Sequence, residues 1–151
     1  MNKRGRTPDL FAADSPQSAI RSLLRLRFAE CLEQQHVLSS QDDDAIHAFR
    51  LACKRLRYAI ERWPQELPQL QPAAQLLSEV TDELGNAHDC AIIADRAQAC
   101  NANVVGRMVQ SDSRRYVARA IVRWRAGFRA QGAFAPLAAF TAYQWSLNGA
   151  R

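Results

Sequence analysis

Between Pro16 and Pro64 the chain contains neither glycine nor proline, and no segment shows the apolar–polar alternation of a half-buried strand. Both absences point to helix. No uncharged apolar run approaches the roughly 20 residues that a membrane-spanning helix requires. The basic start, Met1-Asn2-Lys3-Arg4-Gly5-Arg6, leads into no apolar stretch or small-residue cleavage site, which predicts no secretory leader and a cytoplasmic protein. The four cysteines, Cys31, Cys53, Cys90 and Cys100, lack the close spacing of a zinc or thioredoxin-type site, so buried free thiols and no metal are expected. A glycine-rich phosphate loop, a Ser-His-Asp pattern and a His-Glu-x-x-His motif are all missing. The expectation is therefore no enzyme and no cofactor. Lysine is scarce as well: 18 of the 20 cationic residues are arginine, whose planar fork of donors suits phosphate and carboxylate oxygens.

What is present reads as an all-α protein, an antiparallel four-helix bundle with long helices and a short C-terminal helical segment. The 151 residues suit one domain: a basic flexible tail over 1–14, the bundle over 15–131 and a C-terminal segment over 132–151 that packs on the bundle or on a partner chain. Ser15-Pro16 places an N-cap before a proline at the first helical position, opening a helix that runs to about Leu38. A second helix is capped near Ser40, carries Asp42, Asp43 and Asp44 in its first turn, where the helix dipole favours negative charge, and ends at Trp63. The third runs from Pro72 to about Cys100, with Gly85 as a weak point or a close-packing position. Residues 101–106 read as a loop and the fourth helix as spanning Arg107 to Gln131. The apolar segment 136–147, with Phe140, Tyr143 and Trp145, folds back as a cap or contacts another chain.

Charge is unevenly placed. The net +5 divides into +2 over residues 1–41, −3 over 42–46, +4 over 47–62, −5 over 63–106 and +7 over 107–151, a segregation that favours a polyanionic partner. On the second helix Ile46, Phe49, Cys53, Leu56 and Ile60 share one face. His47, Arg50, Lys54 and Arg57 form a second stripe at i, i+3, i+7 and i+10, roughly 120° from the centre of the apolar one, so they border the core. A row of like charges repels itself, and more so beside a low-dielectric core, so carboxylates or a bound anion must compensate it. On the residues alone, a solvated charged face and a phosphate-binding row both remain open.

The segment His47-x-x-Arg50-x-x-x-Lys54-Arg55-Leu56-Arg57-Tyr58 resembles the signature of the CHAD domain, the conserved histidine α-helical domain. A second element, Leu84-Gly85-Asn86-Ala87-His88-Asp89-Cys90-Ala91, resembles the family's Leu-Gly-x-x-(Arg or polar)-Asp segment on the next long helix. The resemblance covers about Arg21 to Arg129. It implies a helical domain that binds inorganic polyphosphate through basic side chains, often on polyphosphate granules, without catalysis. Members are about twice this length, two similar halves around a basic channel, and this chain resembles the second half. A symmetric homodimer rebuilding that arrangement follows as a hypothesis, with the aromatic C-terminal segment as a contact.

Individual residues divide accordingly. His47, Arg50, Lys54, Arg55 and Arg57 form the expected polyphosphate-binding set. His88, on the inner face of the third helix, reads either as a core histidine or as a phosphate contact where relatives carry Arg. Asp89 is expected to pair with Arg50 or Arg57 and orient them. Arg27, among Ile20, Leu23, Leu24 and Cys31, meets an acid from the third helix or lines the channel, since an isolated buried guanidinium is costly. On the fourth helix, Val117, Ile121, Trp124 and Phe128 define the core face. Arg115, Arg119 and Arg123 point to solvent, whereas Arg107, Arg114 and Arg125 flank the core as second-tier anion contacts. Two rival readings remain: nucleic-acid binding, weakened by the absence of interleaved exposed aromatics, and a protein-interaction module using Phe140, Tyr143 and Trp145.

Overall fold

The computed structural model describes residues 13–40 and 42–142. Five α-helices follow one another with no strand among the described residues: α1 (Pro16–Gln34), α2 (Asp43–Glu61), α3 (Gln71–Ala99), α4 (Asn103–Ala126) and α5 (Ala135–Thr141). The all-helical expectation holds. None of these helices is long and apolar enough to cross a membrane. The basic tail lies almost wholly outside the described residues, as do Tyr143 and Trp145.

The helix starts follow local capping chemistry. Ser15 Oγ accepts from Ser18 N–H at 3.2 Å with Pro16 behind it, and Asp42 Oδ1 accepts from Ala45 N–H at 3.1 Å, two residues beyond the expected cap at Ser40. The first helix gives way after Gln34 to a 3-10 turn, Gln35–Ser39, rather than continuing as α-helix to Leu38. The larger corrections concern the fourth helix. It begins at Asn103, so the expected loop shrinks to residues 100–102. Asn101 makes the reversal at φ 59°, a left-handed conformation that asparagine tolerates. Gly106 is a helix residue, not a loop residue: it is buried near the start of α4, where a Cβ would make only ordinary contact, 3.5 Å from the Ala94 carbonyl oxygen of α3. The helix also ends earlier, at Ala126, because Phe134 N–H donates to the Gly127 carbonyl at 3.0 Å and folds the chain back.

α1 packs on α2, α2 on α3, and α3 most extensively on α4, while α5 returns to α1. The α2–α3 and α3–α4 pairs run antiparallel: Arg50 meets Thr81 and Arg57 meets Ser78, and Ser113, Arg119 and Arg123 meet Ala87, Glu83 and Glu79 in turn. Leu24, Phe28, Phe49, Leu56, Ile60, Leu77 and Leu84 are buried along the shared core, each contributing about 1.5–3 kcal/mol of transfer free energy. Trp124 belongs to this core, as its spacing predicts. Its ring meets Phe49 edge-on at 5.1 Å and lies near Phe134 and Phe128, and its indole N–H reaches Gln35 Oε1 at 3.1 Å. Phe134, Leu137 and Ala138 are buried, so the described part of the C-terminal segment, residues 132–142, packs against its own chain.

The cysteines divide. Cys31 and Cys53 are buried, but Cys90 is half-buried and Cys100 exposed, because α3 carries them towards the turn at its far end, away from the core centred on α1 and α2. Burial and the hydrogen bond with Cys31 push the Cys53 thiol well up, which keeps it protonated and unreactive.

Candidate functional site

α2 turns His47, Arg50 and Arg57 towards α3, with half-buried Lys54 between them in sequence, a stretch about 15 Å long at 1.5 Å per residue. α3 answers with Ser78, Thr81, Gly85 and His88, which repeat the same i, i+3, i+7, i+10 spacing in the opposite direction. This facing row contains no carboxylate. Arg50 Nε donates to the Thr81 carbonyl at 3.1 Å, and its guanidinium lies over Gly85, where a Cβ would come within 3.0 Å of Nη2. Glycine at 85 is thus the close-packing position that the sequence suggested, and the group packed there is a cation. Arg57 Nη1 donates to Ser78 Oγ at 2.8 Å, and its guanidinium stacks over Tyr58, 4.7 Å from the ring centroid. At the other end the His47 and His88 rings lie 5.3 Å apart, and both are half-buried.

Compensation along the row is uneven. Arg57 has Glu61 Oε1 at 3.6 Å from Nε, a contact too long for a hydrogen bond. No acid among the described residues lies within ion-pair distance of Arg50 or Lys54. Asp89 does not take the role expected of it. It is exposed and pairs with neither Arg50 nor Arg57, because one residue past His88 it turns off the α2-facing row. Its carboxylate acts instead on Cys90, whose thiol is pushed up by burial, then by Asp112 and Asp89.

Two other expected members stand on a different seam. Arg27 Nη1 binds Glu30 Oε2 at 3.0 Å, and Arg55 Nε lies 3.8 Å from the same oxygen. The acid that meets Arg27 comes from its own helix, not from α3. Glu30 is buried, its side chain 5% exposed, and sequence reasoning passed over it, although its i, i+3 relation to Arg27 was visible. Arg55 thus faces α1 while His47, Arg50 and Arg57 meet α3.

α4 contributes least. Arg119 Nε meets Glu83 at 3.0 Å, and Arg123 Nη1 meets Glu79 at 2.6 Å. These arginines are 52% and 43% exposed, yet α3's acids hold them, which corrects their assignment to open solvent. Arg115 pairs along its own helix with Asp112. Arg107 and Arg125 are exposed, with no ion pair to a described residue. Arg114 lines a groove of about 260 Å³ between α3 and α4 that also holds Asp43 and Asp95. That groove borders the His47–His88 end through Asp43, Ile46 and Val117, and Asp95 adds a second carboxylate to it.

The α2–α3 seam can therefore offer guanidinium and ammonium donors, two imidazoles and the Ser78 hydroxyl to an elongated anion. Among the described residues no three His, Cys, Asp or Glu side chains group as metal ligands. Comparison with curated proteins and with solved structures returned no match. A family model of the CHAD domain matches residues 2–98, well over half of the chain and inclusive of both motifs on α2 and α3, and the protein therefore belongs to the CHAD family.

Proposed function

We propose that the protein binds inorganic polyphosphate without catalysis, along the α2–α3 seam, through His47, Arg50, Lys54 and Arg57. The observation that carries this reading is the uncompensated centre of the row. Arg50 and Lys54 have no acid within ion-pair distance among the described residues, and Arg50 meets only neutral groups on α3, while Arg27, Arg55, Arg119 and Arg123 of the flanking seams are met by carboxylates. Half-buried like charges left side by side repel one another, and an anion threaded along them relieves that repulsion. The family supports the choice of anion, since CHAD domains are associated with polyphosphate. In this reading the four long helices act as an antiparallel bundle in the cytoplasm or on polyphosphate granules. His88 joins the site from α3, and Arg55, Arg27, Arg114 and Arg125 stand outside it.

Calorimetry with linear polyphosphates of increasing length is the test. Affinity rises with length until the roughly 15 Å row is filled and falls steeply with salt, as for other polyanions bound through released counterions. Saturable binding of short duplex DNA at equal affinity would favour the nucleic-acid alternative, and no binding of either by the folded chain would remove this reading.

A further inference from the structure

We infer that the His47–His88 pair makes anion binding at this seam proton-linked, so that the bound polymer is gripped at mildly acidic pH and loosened as pH rises. The inference rests on the polyphosphate reading and adds a regulation to it. Two imidazoles from different helices stand with ring centroids 5.3 Å apart, at the end of a row whose next member, Arg50, shares their pocket. That pocket is lined by Asp43, Ile46, His47, Arg50, Leu84, Ala87, His88 and Val117 and has room for about 10 Å³, no more than one water.

Charged groups among the described residues surround the pair from two helices. From α2 come Asp43 and Arg50 beside His47, and from α3 comes His88, with exposed Asp89 next to it in sequence. α4 contributes only the apolar Val117 to this pocket, with Arg114 and the α3 residue Asp95 in the adjoining groove. Among the described residues, one carboxylate therefore lines the pocket with three groups that can be cationic.

Imidazole titrates near pH 6.5 in the absence of neighbours. In the free protein, protonating both rings would set two cations 5.3 Å apart, centroid to centroid, beside Arg50, an arrangement that Coulomb repulsion opposes. A phosphate oxygen at the seam reverses the balance, since it accepts from N–H groups of protonated rings and screens their repulsion. Binding then takes up protons. The sign follows from linkage: affinity is highest below the free-state imidazole range and is lost as pH rises through the raised values of the complex. Each imidazole that holds its proton tenfold more tightly in the complex contributes a tenfold change in affinity.

The experiment is calorimetry of the full chain with long-chain polyphosphate at constant ionic strength from pH 5.5 to 8, in buffers of differing ionisation enthalpy so that proton uptake is counted. Long chains are used because terminal phosphates titrate near pH 6 while the internal ones stay singly charged. The expected result is a fall of about 10- to 100-fold across that range with net proton uptake near pH 7. H88R should keep its affinity at pH 8 and flatten the profile, and H47Q/H88Q should lose the proton uptake. Imidazole resonances of the unmodified chain, followed by NMR with and without polyphosphate, give the same answer without a substitution: their titration moves to higher pH in the complex. Tight binding that varies less than twofold with pH, or an unchanged profile in H47Q/H88Q, would overturn the proton linkage alone. Absence of binding at every pH would overturn it together with the polyphosphate reading.

Discussion

Three seams of this molecule, α1–α2, α2–α3 and α3–α4, carry arginine, yet they differ in what the arginines meet. Between α1 and α2, Arg27 and Arg55 converge on the buried Glu30. Between α3 and α4, Arg119 and Arg123 close on Glu83 and Glu79. Between α2 and α3, Arg50 meets a backbone carbonyl and a glycine, and Lys54 meets no described acid within ion-pair distance. The lesson is that arginine content does not distinguish these seams; the placement of acids around each arginine does. On α3 a single residue step separates the neutral row from the acidic one. Ser78 faces α2, and Glu79 faces α4. The same helix thus neutralises one neighbour and leaves the other charged.

This contrast can be broken directly. The largest effect is expected from Arg50→Ala with Lys54→Ala, which should lower polyphosphate affinity about 100-fold, at roughly 1.5–3 kcal/mol per charged contact, while circular dichroism shows the helical content kept. Equal losses from Arg25→Glu, an exposed arginine on α1, would mean diffuse attraction rather than a sited row. The α1–α2 seam should respond in stability instead. Glu30→Ala leaves two half-buried guanidiniums without this carboxylate and should cost about 2 kcal/mol in denaturant unfolding, less than for a fully buried pair because both arginines retain solvent contact. Its polyphosphate affinity should not fall.

Gly85→Ala sharpens the comparison because its two readouts should move in opposite directions. Alanine favours helix over glycine by up to about 1 kcal/mol, and the guanidinium that its Cβ would crowd is the far end of a flexible side chain. Stability should hold or rise while affinity drops about threefold as Arg50 is displaced. The smallest effect is expected at the α3–α4 seam: Arg119→Ala and Arg123→Ala should each change affinity by less than about twofold, since exposed pairs of this kind contribute about 0–1 kcal/mol.

Much of the helical plan was legible because capping and periodicity are local. Ser15-Pro16, the aspartates at the start of α2 and the apolar spacing of Phe49, Leu56, Trp124 and Phe128 act within one or two turns. The limits of α4 were not legible, since glycine reads as a breaker in a sequence, whereas Gly106 is a buried residue inside the helix. The basic row was visible as a stripe, whereas Arg55, which joins the binding set through the family motif, lies on the opposite flank of the helix and meets Glu30. The pairing expected of Asp89 failed for the same reason: one step along α3 changes which neighbour a side chain faces.

Chain composition and pattern alone determined that this protein is helical, where most helices begin, and that α2 carries a cationic stripe bordering its apolar face. Only the tertiary structure decided which of those cations stay uncompensated. That outcome depends on the rotation of α3 about its own axis, which directs Glu79 and Glu83 towards α4 and Ser78, Thr81, Gly85 and His88 towards α2. Core packing across all the helices sets that rotation, and no local stretch of sequence encodes it.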